Sequence, residues 1–131
     1  MAVSVTIYGI SNCDTMRRAR AWLVDHGVAF TFHDYRRDGV DRARLEGWVA
    51  RLGWEKLLNR SGTTFRKLPP ELREDLDAER AIALMLEHPA MIRRPVLEHP
   101  GLLLVGFRPG DYAANLSDLR ASALSAPDPA S

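Results

Sequence analysis

Val5-Thr6-Ile7-Tyr8-Gly9-Ile10-Ser11-Asn12-Cys13-Asp14-Thr15 takes the chain from strand character to helix character within a few residues. Residues 3–8 alternate and are rich in β-branched side chains, which predicts a strand ending at Gly9. From Asp14 to Asp25 the period changes: Met16, Ala19 and Leu23 share one face of a helix, with Trp22 beside it. Arg17, Arg18 and Arg20 fall outside that face and read as a solvated surface. Cys13, the only cysteine in the chain, sits at the junction. A helix N-terminus carries unpaired N–H groups and a partial positive charge, and both favour thiolate over thiol. Asp14 works against them, since a neighbouring carboxylate raises a thiol pKa. The plain alternative is a small buried hydrophobe. A lone cysteine makes no internal disulfide, so a reactive Cys13 acts as a monothiol and needs an outside partner. Gly9 reads as a tight turn.

Outward from this stretch, His26-Gly27 ends the helix, with Gly27 placed for a left-handed cap. Ala29 to Tyr35 predicts a second strand, and strand–helix–strand with short connections favours parallel pairing and a right-handed crossover. Asp41 caps a helix over 42–52, whose Leu45, Trp48, Val49 and Leu52 follow helical spacing, and Gly53 stops it. Leu57 to Leu68 has no period and reads as a structured loop, punctuated by Pro69-Pro70. Asp77 caps a further helix to Glu87 that buries Ile82, Met85 and Leu86. Val96 to Glu98, a His99-Pro100-Gly101 turn and Leu102 to Phe107 predict an antiparallel hairpin. A short helical stretch follows from about Asp111, and Ala121 to Ser131 reads as a disordered tail. Trp22, Trp48 and Trp54 read as core. The order is α/β: β-α-β, then β-β-α, a thioredoxin-like fold with a mixed sheet and a helical insertion between its halves. It predicts a single domain over 1–117, with the insertion at about 41–90, and a C-terminal end and disordered tail at 118–131.

The 131 residues carry a formal net charge of +1, which points to neither nucleic acid nor a membrane surface as partner. No run reaches the ~20 apolar residues of a membrane span. With no basic-then-apolar leader and no second cysteine, the expected compartment is the cytoplasm. His26, His33, His88 and His99 do not pair at metal-ligand spacing, so no metal is expected. Lysine occurs only at Lys56 and Lys67, so nearly all positive charge is arginine. Arg60, Arg94 and Arg108 stand out because they fall in loops or before strands, Arg94 and Arg108 each preceding a proline. A guanidinium so placed is either an ordinary surface group or a forked donor for an anion.

Tyr8-Gly9-Ile10-Ser11-Asn12-Cys13-Asp14-Thr15, Arg94-Pro95-Val96-Leu97 and Val105-Gly106-Phe107-Arg108-Pro109 together resemble the ArsC/Spx family of thioredoxin-fold proteins. Leu57-Leu58-Asn59-Arg60-Ser61-Gly62-Thr63-Thr64-Phe65-Arg66-Lys67-Leu68 is similar to its YffB-type branch. The resemblance runs from about Val3 to Asn115. It implies a glutathione-dependent reductase with Cys13 as nucleophile, Arg60, Arg94 and Arg108 as the anion- and glutathione-binding arginines with Asn12 beside them, and Pro95 as a cis-proline. Glutathione is then a co-substrate rather than a bound cofactor, the substrate a small oxyanion or a thiol-disulfide, and glutaredoxin a partner; the chain is expected to be a monomer. Two departures matter. Arsenate reductases of this type carry a histidine and a proline in the loop before the cysteine, where this chain has Gly9-Ile10-Ser11-Asn12. The redox-switch regulators of the Spx branch carry a second cysteine where Met16 stands. The leading expectation is a glutathione-dependent monothiol reductase, with an arsenate reductase and a non-enzymatic, Spx-like protein-binding regulator as alternatives.

Overall fold

In a computed structural model, residues 5–11 and 13–116 are described; Asn12 and the expected tail at 118–131 lie outside them. The chain forms two compact units, one of Met1–Asp34 with Arg94–Ser131 and one of Tyr35–Arg93.

The first unit holds the whole sheet. Strand β1 (Thr6–Gly9) leads into helix α1 (Asp14–Asp25) and strand β2 (Thr31–Asp34). After the second unit come β3 (Val96–His99), β4 (Leu102–Val105) and helical residues 109–116. The sheet order is β2-β1-β3-β4: β1 runs parallel to β2, while β1–β3 and β3–β4 are antiparallel. This is the mixed sheet and β-α-β, β-β-α order of a thioredoxin-like fold. Period two along β1 sends Ile7 to one face with Leu97 of β3, where Met16, Ala19 and Leu23 of α1 and Tyr112 and Leu116 join them in one buried cluster. Tyr8 points to the other face, donating from its hydroxyl to Glu98 Oε1 at 2.9 Å and lying 5.0 Å from the His33 ring.

The second strand is shorter than its apolar run predicts. β2 begins at Thr31 and stops at Asp34, because Tyr35 opens a helical turn, α2 (Tyr35–Asp38). Helix α1 ends as its sequence dictates: His26 N–H bonds to Trp22 O, and Gly27 takes φ 71°, which costs glycine nothing. Trp22 is half-buried rather than core, stacked on His26 at 3.8 Å and edge-on to Tyr112 at 5.4 Å. Arg20 also departs from expectation. It is half-buried, with its guanidinium 4.6 Å from the Phe32 ring centre, a cation–π contact instead of a solvated face.

Gly9 is required for a reason other than a turn. A Cβ there would collide with the thioether of Met16, which is fully buried. Gly9→Ala is therefore expected to destabilise the protein by about 1–3 kcal/mol through overpacking. In Met16→Ala that penalty should shrink, giving a non-additive double-mutant cycle in denaturant unfolding; additive effects would refute the contact. Tyr112 raises the opposite case. Its ring is fully buried and its hydroxyl has no hydrogen-bond partner among the described residues, so burial pushes the phenol pKa above its ordinary range. Tyr112→Phe should leave stability unchanged or raise it by up to about 2 kcal/mol, since it deletes an unsatisfied buried group. A clear loss in a thermal melt would reveal a partner for the hydroxyl.

The second unit is helical. α3 (Arg42–Leu52) and α7 (Ala78–Glu87) start at Asp41 and Asp77, whose carboxylates accept from the N–H groups of Arg44 and Arg80. α3 buries Leu45 and Trp48, and α7 buries Ala81, Ile82, Leu84 and Met85, with Leu86 only half-buried. Between them, the expected loop contains short helical turns: α4 (Trp54–Leu57), α5 (Thr63–Arg66) and α6 (Pro70–Arg73). Trp54 is half-buried in α4, not core. A 3₁₀ turn (Pro89–Met91) closes the unit, and Leu58 bridges to Ile92. No helix among the described residues is long and apolar enough to cross a membrane.

Candidate active site

Cys13 is the N-cap of α1, extended at φ −109° and ψ 131°, and its carbonyl accepts from the Arg17 N–H at 3.0 Å. The thiol is half-buried and free. Burial raises its pKa, as removal from water disfavours any charged form. That effect is outweighed by the backbone N–H of Met16, the Arg94 side chain and the N–H of Thr15, which are directed at the sulfur, and by the Arg94 charge. The net result is a thiol pKa below the ordinary value. The sulfur does not meet the strict geometry of a capping hydrogen bond. The donors act as a cradle that prefers S⁻ to SH rather than as a cap on a neutral thiol.

Asp14 does not undo this. Its carboxylate is mostly exposed and lies 3.4 Å from Arg17 and 3.7 Å from Arg18, one turn along the helix surface. Of the three candidate arginines, Arg60, Arg94 and Arg108, the one that reaches the thiol is Arg94. It enters just before β3, and its peptide bond to the buried Pro95 is cis. The pairing of Tyr8 with Val96 explains the meeting: β1 delivers Cys13 beyond its end, and β3 begins two residues after Arg94.

The other sequence candidates are placed differently. Arg108 lies in the same unit and is exposed; its carbonyl accepts from the N–H groups of Asp111 and Tyr112 at the start of the last helical stretch. It is not among the groups that lower the Cys13 pKa. Arg60 belongs to the helical unit, where its exposed guanidinium stands 5.3 Å from the Trp54 ring centre. Asn12 lies outside the described residues. The helix N–H groups expected to favour the thiolate are those of Thr15 and Met16. Their signal was the helix start itself, which presents N–H groups whatever the side chains are.

The sequence pattern of the ArsC family matches residues 8–115. The chain belongs to the ArsC family. A solved structure of the YFFB protein is 55% identical, with a TM-score of 0.84, covering 86% of this chain and 99% of that one. An arsenate reductase (ArsC) related protein from Brucella melitensis is 54% identical, with a TM-score of 0.72, covering 89% and 98%. The global transcriptional regulator Spx of Streptococcus pyogenes is 30% identical over 115 residues, covering 86% of this chain and 85% of the regulator. The resemblance read from the four sequence motifs, including its YffB-type segment, is thus borne out. Relatives within this arsenate reductase-like family include both reductase-related proteins and regulators.

Proposed function

We propose that this ArsC-family protein is a glutathione-dependent monothiol reductase. The observation that supports it most is the convergence of the Arg94 guanidinium and two helix N-terminal N–H groups on the sulfur of Cys13. A thiolate so stabilised is ready to attack near neutral pH. With a glutathione mixed disulfide as substrate, the Cys13 thiolate attacks the glutathione sulfur. A Cys13–glutathione disulfide forms, the original S–S bond breaks, and the substrate leaves as a thiolate. A second glutathione thiolate then attacks that disulfide, releasing oxidised glutathione and restoring Cys13. The second step must come from outside, because Met16 fills the position of a resolving cysteine and is fully buried.

Arg94 and Arg108 would serve the carboxylates of glutathione, with Asn12 beside Cys13; the same role for Arg60 rests on the resemblance alone. Glutaredoxin is the proposed partner for regeneration, in a cytoplasmic monomer. Arsenate is the second substrate to consider, given the likeness to the Brucella protein. The loop Gly9-Ile10-Ser11-Asn12, which lacks histidine and proline, weighs against it. A regulatory role like that of the Streptococcus relative would have to work without a cysteine pair.

Intact-mass spectrometry tests the reading. Incubation with oxidised glutathione should add one glutathionyl group per chain, removed again by reduced glutathione. Absence of the adduct at a thiol that still reacts with small alkylating agents would defeat it. Arsenite release in a glutathione- and glutaredoxin-coupled assay would shift the substrate to arsenate.

A further inference from the structure

Within the helical unit, α6 is a helix that buries nothing. Its one large apolar residue, Leu72, is 48% exposed. A four-residue helix has no stability of its own. This one is held by Pro70 in its first turn and by hydrogen bonds from Arg73 Nε to Leu68 O and from Arg80 Nη1 to Asp75 O, both 3.0 Å. These contacts, and not burial of an apolar side chain, hold the element, which leaves Leu72 available. Beside it, along the outer side of α7, lies an open groove of about 380 Å³. Leu72, Ala83 and Leu84 supply its apolar surface, and Glu71, Arg80 and Glu87 its charged rim.

The rim charges are unequal in availability. Arg80 is engaged with the Asp75 carbonyl, whereas Glu87 approaches only His88, at 3.8 Å on the surface, and Glu71 has no ion-pair partner among the described residues. The surrounding segment is acidic as well: residues 71–79 hold Glu71, Glu74, Asp75, Asp77 and Glu79 against Arg73 alone, in a chain whose total is +1. An apolar groove with carboxylates on its rim is complementary to an apolar side chain flanked by cations. A second copy using the same face would set Glu71 and Glu87 against like charges, so self-association is disfavoured.

We propose that the groove between α6 and α7 is a docking surface for a basic amphipathic helix of a partner protein. An aliphatic side chain of the partner covers Leu72, Ala83 and Leu84, and lysine or arginine residues on either side meet Glu71 and Glu87. This is the helix-in-groove mode of recognition, on the unit that does not hold Cys13.

The test uses the full chain, isotope-labelled for NMR, titrated with a synthetic amphipathic helical peptide bearing leucines on one face and lysines on both flanks. A second peptide has every lysine replaced by glutamate. The lysine peptide is expected to shift the amide signals of Glu71, Leu72, Ala83 and Leu84 saturably, more weakly as salt is raised, and the glutamate peptide to leave them unmoved. Leu72→Ser, at an exposed site, should weaken binding about fivefold by removing half-buried apolar contact, and Glu71→Lys with Glu87→Lys should reverse the peptide preference. Both variants should keep the wild-type melting profile and Cys13 thiol reactivity. Equal shifts with both peptides, shifts confined to other residues, or groove shifts that depend on protein concentration without peptide would each overturn the proposal, the last in favour of a second copy.

Discussion

Cys13→Ser is expected to abolish glutathionyl adduct formation and all disulfide-reducing turnover, leaving the fold intact. The loss is complete because the chain has no other thiol to substitute, and a serine hydroxyl does not ionise in the working range. The wild type should also show where its thiol titrates. The rate of attack on a disulfide should rise with pH and level off below the pH at which a free cysteine would do so, since Met16 N–H, Arg94 and Thr15 N–H more than offset burial. The same shift has a stability consequence of fixed sign. A thiol whose native pKa is lowered binds fewer protons folded than unfolded, between the two values. Its contribution is therefore fully present above the ordinary thiol range and lost as pH falls through the lowered native value. The stability of the wild type relative to Cys13→Ser should thus increase with pH across that window. A flat difference in denaturant unfolding would show that the thiol is unperturbed, and the proposed chemistry would lose its basis.

Much of this was legible in the chain because local signals and long-range packing agreed. The change from period two to helical period around Cys13, the Asp41 and Asp77 caps, and the hairpin turn at His99-Pro100-Gly101 each mark an element that the structure contains. The short turns α4, α5 and α6 were not legible, since four residues are too few to display a period. Arg20 was misread for a related reason: it lies off the buried face of α1, and only the tertiary approach of Phe32 gives its guanidinium a partner. Gly9 looked like a turn glycine because its neighbour in space, Met16, is separated from it by the whole cysteine loop. The three arginines illustrate the limit most clearly. Spacing and adjacent prolines made Arg94 and Arg108 equivalent candidates, yet β1–β3 pairing brings only Arg94 to the sulfur among the groups that lower its pKa. A strand register that joins residues about ninety positions apart is a property of the sheet and cannot be read from either segment alone.

Arg94→Ala should therefore have the largest effect of any substitution that leaves the thiol in place. Two changes follow from losing one side chain: the sulfur loses a charged hydrogen-bond donor, and the positive charge that favoured S⁻ is gone. A hydrogen bond to a charged group contributes about 1.5–3 kcal/mol. Roughly half of that reaches the rate, because a thiolate becomes more nucleophilic as its pKa rises. Attack on a disulfide below the thiol pKa should then slow by about four- to twelvefold, nearer the lower figure since Cys13 is only half-buried. The pH–rate curve should move to higher pH while its plateau rises by a comparable factor, a signature that simple loss of folded protein cannot produce. Arg94→Lys separates charge from geometry: it keeps the cation but not the planar fork, and should recover part of the shift. Arg108→Ala is the matched control, since Arg108 does not act on the sulfur. It should leave the pH–rate curve in place and, if Arg108 holds a glutathione carboxylate, raise only the glutathione concentration needed for regeneration. An Arg94→Ala curve superimposable on the wild type would mean that the helix N-terminus alone sets the thiol's ionisation.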